Sequence, residues 1–211
     1  MIRFITLEGG DGTGKSTQLR LLEGYLTGRG KICLATREPG GTALGRLLRR
    51  LLLETGEQPL APKTELFFYL ADRAQHVYEV IGPALESGKV VLCDRYTDST
   101  LAYQGYGRGI DVGALKQLNA MASGGLSADL TLLFDCPVEI SLARTLQRQS
   151  SAPGEDRFER ERLEFHARVR DGFLQLARAE PHRIVVVDAS RSIEEVFADV
   201  RRIVDEKYGW A

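Results

Sequence analysis

The sequence predicts an α/β domain built on a mainly parallel sheet. Strand-like and helix-like segments alternate along the whole chain, which requires right-handed crossover connections. Lys89-Val90-Val91-Leu92-Cys93 is a continuous apolar run, as suits a strand buried on both faces. A glycine-rich loop stands between the first strand and the first helix, where such sheets bind ligands beyond their strand ends.

The first strand is Ile2 to Leu7, alternating and rich in β-branched residues. Gln18 to Leu26 follows with leucines at helical spacing, closed by Gly28 and Gly30. Lys31 to Thr36 reads as the second strand and runs into the turn cluster Arg37-Glu38-Pro39-Gly40-Gly41-Thr42. Leu44, Leu47, Leu48, Leu51 and Leu52 mark an amphipathic helix, and Glu54 to Lys63 reads as a loop. Thr64 to Ser87 is a long helical pattern, with Thr64 expected as its N-cap and Pro83 as its break. After the strand at 89–93, Asp98 to Gly109 is rich in Ser, Thr, Tyr, Gln and Gly, and Asp111 to Ala122 is helical.

Leu130 to Asp135 is the fourth strand, with Pro137 expected to open the next helix. That helix carries Arg144 and Arg148 on one face. Gln149 to Asp156 loses all periodicity and reads as a mobile loop. Phe158 to Ala179 is a charged helix, Arg183 to Asp188 a fifth strand, and Ser192 caps a final helix to about Lys207. With 211 residues, no internal repeat and no long linker, residues 1–211 are expected to form a single domain.

Composition bounds the function. Hydrophobic residues make up 43% and charged residues 27%, ordinary for a globular protein. A formal net charge of −1 gives no basic field for nucleic acid or an anionic membrane. No apolar run approaches a membrane span, and Met1-Ile2-Arg3-Phe4 does not open a signal peptide. Cys33, Cys93 and Cys136 lack metal-site spacing and lie in or beside strands. Three buried thiols are expected, and with them a reducing cytoplasm.

The loop Gly9-Gly10-Asp11-Gly12-Thr13-Gly14-Lys15-Ser16-Thr17 fits G-x-x-x-x-G-K-[ST] between a strand and a helix. Its glycines let backbone N–H groups converge on phosphate, and the helix N-terminus adds partial positive charge. Lys15 is expected to reach the β- and γ-phosphates and Ser16 to ligate Mg²⁺; the alternative is a glycine turn with a surface lysine. Asp94, ending an apolar strand, suits the acidic partner of that metal, or else caps the next turn. Arg95, Arg37 and Arg73 are candidates for a second anion, since a guanidinium donates two hydrogen bonds to phosphate at once. The latter two could instead form surface ion pairs. Arg144, Arg148, Arg157, Arg160 and Arg162 flank the Ser150-to-Gly154 segment, which reads as a lid, or else form a solvated charged face. A simple ATPase or GTPase needs no second phosphate site, and no Asn-Lys-x-Asp string is present to read guanine.

Thr36 to Thr42, Ala71-Asp72-Arg73-Ala74-Gln75, Asp94-Arg95-Tyr96 and Ala102-Tyr103-Gln104-Gly105, in this order with the glycine loop, resemble the bacterial thymidylate kinase family. The resemblance runs from Ile5 to about Val187. It implies the P-loop kinase fold, with a five-stranded parallel sheet flanked by helices and a mobile lid at about 148–158. It implies transfer of the γ-phosphoryl of ATP to dTMP, a step of dTTP synthesis, by a Mg²⁺-dependent cytosolic homodimer.

Carried over residue by residue, the resemblance gives Lys15, Asp11, Arg95 and Arg148 catalytic roles. ATP is implied at residues 9 to 17 and at Arg144, lying against adenine. Arg95 is implied at the dTMP phosphate, Arg73 at the thymine carbonyl, and Tyr69 beneath the base where the family usually has Phe. Asp11, Glu38, Pro39, Ser99, Thr100, Tyr103 and Gln104 complete the dTMP pocket, with Thr100 where some relatives have Asn. Ser16 and Asp94 are the metal site. The glycine loop has no arginine, so the lid type of the family is implied, with Arg148 as its catalytic arginine and Arg157 as runner-up. A cis bond before Pro39 is also implied. A kinase for another nucleotide, differing at Tyr69, Arg73 and Tyr103, and a non-catalytic ATP-binding module remain as alternatives.

Overall fold

A computed structural model describes residues 3–53, 60–149 and 161–209, and for 148 and 149 the backbone only. Five parallel strands, β1 (Phe4–Glu8), β2 (Cys33–Arg37), β3 (Val90–Asp94), β4 (Leu130–Asp135) and β5 (Ile184–Asp188), lie in the order β2-β3-β1-β4-β5. β1 is central and buried along its whole length, sandwiched between helical layers as its apolar sequence requires. Its buried Thr6 meets Thr131 of β4 at 2.8 Å, so neither hydroxyl is left unpaired.

The helices among the described residues are α1 (Lys15–Gly28), α2 (Ala43–Leu53), α3 (Pro62–His76), α4 (Gly82–Glu86), α5 (Thr97–Thr100), α6 (Val112–Ser123), α7 (Val138–Gln149), α8 (Leu163–Ala179) and α9 (Ile193–Tyr208). α1 and α9 cover one face, burying Leu22, Leu26, Val200 and Val204 against Ile5, Leu7 and Leu132. α3 and α8 supply Leu66, Leu70, Phe165 and Phe173 to a second core that includes Leu133. Ser192 and Glu195 form a capping box at the start of α9, as the sequence leads one to expect.

Two expectations need correction. The long helical pattern starts at Pro62, two residues before Thr64, and Ala61 precedes it without a side-chain cap. Its irregularity is a π-helical turn, Val77–Ile81, placed before Pro83 instead of at it. Proline has no N–H and its ring crowds the carbonyl four residues back, so the helix widens one turn ahead. The stretch Asp98 to Gly109, rich in Ser, Thr, Tyr, Gln and Gly, lies largely in α5 and a π-helical continuation, Leu101–Gly107. Tertiary packing imposes it. A Cβ on Gly107 would lie 2.7 Å from Phe165 of α8, and one on Gly172 would lie 2.6 Å from Tyr106. Bare backbone lets the two helices approach.

Smaller departures follow the same logic. Pro137 precedes α7 by one residue, and α8 begins at Leu163 among the described residues. Cys93 and Cys136 are buried and Cys33 only half-buried, because β2 is an edge strand; all three are free thiols. The Glu54-to-Pro59 part of the expected loop and the Ser150-to-Gly154 lid lie outside the described residues.

Candidate active site

The carboxyl ends of β1, β2 and β3 bring their following turns to one crevice. After β1 the glycine loop turns into α1 through Gly14, in left-handed conformation at φ 86. Gly12 is also left-handed, and a Cβ there would collide with the Ser141 carbonyl. No side chain caps α1, and no acidic residue stands in its first turn. Its leading N–H groups and partial positive charge therefore face the crevice, ready for phosphate. Lys15 folds over the loop, donating to the carbonyls of Gly9 at 3.1 Å and Gly10 at 2.6 Å. Burial, with the Arg95 charge adding, lowers its pKa to about 8.

Ser16 donates to the Asp94 carboxylate at 2.8 Å. A hydroxyl and a carboxylate oxygen side by side below a phosphate loop are hard ligands that fit Mg²⁺. Among the described residues no cluster of three or more His, Cys, Asp or Glu side chains that could hold a metal exists. Arg144 of α7 donates to the carbonyls of Ala189 at 2.7 Å and Ser190 at 3.0 Å, which fixes its guanidinium beside the loop after β5.

The cavity over the loop has about 920 Å³ including space open to solvent, and is lined by Gly12, Gly14, Lys15, Ser16, Thr17, Arg37, Asp94 and Arg144. A second, adjoining cavity of about 540 Å³ is lined by Pro39, Tyr69, Arg73, Ser99, Thr100, Tyr103 and Gln104. Asp11, Glu38, Arg49 and Arg95 line both.

Between the cavities Arg95 adopts φ 70, a left-handed conformation for a residue with a side chain. Its guanidinium donates to Gly9 O at 2.9 Å, Ser99 Oγ at 3.1 Å, Asp11 Oδ1 at 2.5 Å and the Tyr103 hydroxyl at 3.2 Å. Burial alone would raise the Asp11 pKa, but the Arg95 and Lys15 charges and the Arg95 hydrogen bond hold it far below the usual carboxylate range.

The floor of the second cavity is a buried polar network. Arg73 Nε donates to Glu38 Oε2 at 2.8 Å, and its Nη1 donates to Thr100 at 2.9 Å and Asn119 at 2.6 Å. His76 sits at 3.0 Å from Glu38 and 2.7 Å from Thr36. Arg73 is therefore an interior ion pair, not a surface one, and the Glu38 charge outweighs burial to raise its pKa. The Glu38–Pro39 peptide is cis, and Gly40 N–H donates to Asp72 at 3.0 Å.

All ten residues expected around the acceptor line that one cavity. Three loop residues do not line the cavity above the loop: Gly9, Gly10 and Thr13 face the β4 and α8 side. Asp135, at the end of β4, is held on that side by Arg170 at 2.7 and 2.9 Å. The Arg148 side chain and all of Arg157 and Arg160 lie outside the described residues. Arg49, Leu53, Tyr96 and Asn119 were not anticipated. α2 was legible only by its leucines, and nothing in the string separates Arg49 from its neighbours Arg46 and Arg50.

The thymidylate kinase family model matches residues 7–200 of this chain. The chain belongs to the thymidylate kinase family. It is thus a nucleotide kinase, a transferase of nucleotide biosynthesis. A thymidylate kinase from Desulfovibrio desulfuricans is 55% identical over 205 residues, covering 96% of this chain and 94% of that protein. One from Synechococcus is 55% identical over 204 residues, covering 97% and 95%. The crystal structure of thymidylate kinase from Ehrlichia chaffeensis superimposes with a TM-score of 0.77 at 37% identity, covering 96% of this chain and 98% of that one. In this chain two adjoining cavities share a wall of charged residues, Asp11, Glu38, Arg49 and Arg95.

Proposed function

We propose that this chain transfers the γ-phosphoryl group of ATP to dTMP, giving ADP and dTDP. The observation that carries the reading is the wall of Asp11, Glu38, Arg49 and Arg95 common to the two cavities. A shared charged wall suits an acceptor phosphate set against a donor's γ-phosphate, and positioning with charge neutralisation supplies most of the catalysis in such transfers.

A dTMP phosphate oxygen attacks the γ-phosphorus in line, and the β–γ bridging oxygen leaves with ADP. Arg95 and Arg49 hold the acceptor phosphate, and Arg73 donates to a thymine carbonyl from a guanidinium held by Glu38. Tyr69 and Pro39 flank the base, with Thr100 and Gln104 at its edge; Asp11, Ser99 and Tyr103 serve the sugar and phosphate. Lys15 follows the β- and γ-phosphates, and Arg144 lies against the adenine. Ser16 and Asp94 hold Mg²⁺, which neutralises the developing charge when bound. Arg148, at the end of α7, supplies the lid arginine, with the lid at about 148–158 of a single domain spanning 1–211.

We also propose a homodimer formed by α2, α3 and α6. Leu44, Leu47 and Leu51 are 44%, 50% and 55% exposed along one face of α2. Phe67 of α3 and Met121 of α6 are 56% and 84% exposed. Apolar groups gathered on neighbouring helices mark an association surface. Among the described residues no helix is long and apolar enough to cross a membrane. With its free thiols, the chain is assigned to the cytoplasm.

Coupled ADP release tests the reading. Turnover of ATP should require both dTMP and Mg²⁺, and chelation should abolish it; ADP release without dTMP at the same rate would contradict it.

A further inference from the structure

We propose that Glu8 is a positioning residue for the acceptor phosphate: its buried carboxylate holds the turn that aims Arg95 into the cleft. This rests on the assignment of Arg95 to that phosphate.

Glu8 ends β1 and is fully buried. One carboxylate oxygen accepts from the Tyr96 backbone N–H at 2.7 Å, and the other from Ser99 Oγ at 2.6 Å. The first bond fixes the peptide that follows Arg95. Arg95 is the one non-glycine residue with positive φ among the described residues, and such strain persists only where surroundings over-determine it. The second bond orients Ser99, whose oxygen in turn accepts from Arg95 Nη1 at 3.1 Å. Glu8 therefore acts on Arg95 twice, through its backbone and through its side chain.

Among the described residues no cation donates to Glu8 directly. The ionisable groups facing it are Lys15 of α1, Arg73 of α3, Cys93 of β3, Arg95 of the turn and Asp98 of α5. Asp98 is itself engaged by Arg183 at 2.7 and 2.9 Å. Burial and then the Asp98 charge push the Glu8 pKa up to about 7, against the Ser99, Arg95 and Tyr96 interactions. Packing alone does not require a charge here. A carboxylate kept in so adverse a place accepts two hydrogen bonds at once on the residues beside the acceptor site.

Glu8→Gln keeps the shape but offers one acceptor in place of two. Steady-state kinetics should show KM for dTMP raised at least ~10-fold and KM for ATP within about twofold of wild type, a loss confined to acceptor binding. The thermal midpoint at pH 8 should not fall. Between pH 6 and 8, log kcat/KM for dTMP should decline toward acid more steeply in wild type than in Glu8→Gln. The acceptor's own phosphate ionisation, near about 6, is common to both enzymes. An unchanged KM for dTMP in Glu8→Gln, or KM values for both substrates rising together, overturns the proposal. Should Glu8→Gln not fold, Ser99→Ala cuts the same relay; it should raise KM for dTMP at least ~5-fold, and an unchanged KM overturns the role equally. Arg95→Ala separates the two levels. If it leaves KM for dTMP unchanged, the acceptor assignment fails; if it raises KM and Glu8→Gln does not, only the role of Glu8 fails.

Discussion

Removing the Glu38 carboxylate is the severest test of the buried network under the acceptor cavity. Its side chain and that of Arg73 are each only 2% exposed and meet at 2.8 Å. In Glu38→Ala the guanidinium stays buried with two neutral acceptors, Thr100 and Asn119, and His76 keeps Thr36 but loses Glu38. Breaking one side of a buried ion pair costs about 3–5 kcal/mol, because the remaining charge is uncompensated. At about 2–4 °C per kcal/mol for a chain of this length, the thermal midpoint should fall by roughly 6–20 °C. Glu38→Gln, which leaves an oxygen for Arg73, should lose about 1.5–3 kcal/mol. Calorimetry reads the stability, and steady-state kinetics should show KM for dTMP raised in both variants while KM for ATP holds. A Glu38→Ala midpoint within about 2 °C of wild type would refute the reasoning, since it would mean Arg73 finds another partner without loss.

Arg148→Ala should lower kcat by at least ~100-fold with little change in KM for dTMP, and Arg148→Lys should recover only part, because lysine lacks the planar fork. A kcat within about threefold of wild type would pass the role to another lid arginine. Leu47→Glu with Phe67→Glu should convert the proposed dimer to monomer in sedimentation by placing charge on its apolar surface; a monomeric wild type would remove the dimer. Folded Glu8 keeps its proton to about pH 7 against an ordinary value of 4.5, so its stabilising contribution is complete below 4.5 and is lost as pH rises through 7. That loss amounts to about 3 kcal/mol at 1.36 kcal/mol per unit. Denaturation of Glu8→Gln between pH 5 and 8 should show a flatter decline than wild type, and identical slopes would contradict the cause.

The strands and the glycine loop were legible because burial on two faces and phosphate binding each leave a local signature. β4 spans Leu130–Asp135 as read, and the loop bends where its glycines stand. Asp98 to Gly109 was not legible. Its glycines and polar residues argue against a helix locally, and only the approach of α8 through Gly107 and Gly172 makes one. The acceptor site divides likewise. Residues beside strand ends, such as Glu38 and Arg95, could be placed from the string. Arg49 and Asn119 reach the site from helices whose orientation no local pattern states. Glu8 looks in sequence like the polar end of a strand, and only its two hydrogen bonds to the Arg95 turn distinguish it.

The central claim is that the cavity of Tyr69, Arg73 and Tyr103 selects a thymidine monophosphate as acceptor. One comparison tests it most directly: kcat/KM for ADP release across dTMP, dCMP, AMP and GMP at fixed ATP and Mg²⁺. The account predicts dTMP ahead of either purine by at least ~100-fold, since unmatched buried donors penalise a wrong base. A purine monophosphate used as well as dTMP would contradict it.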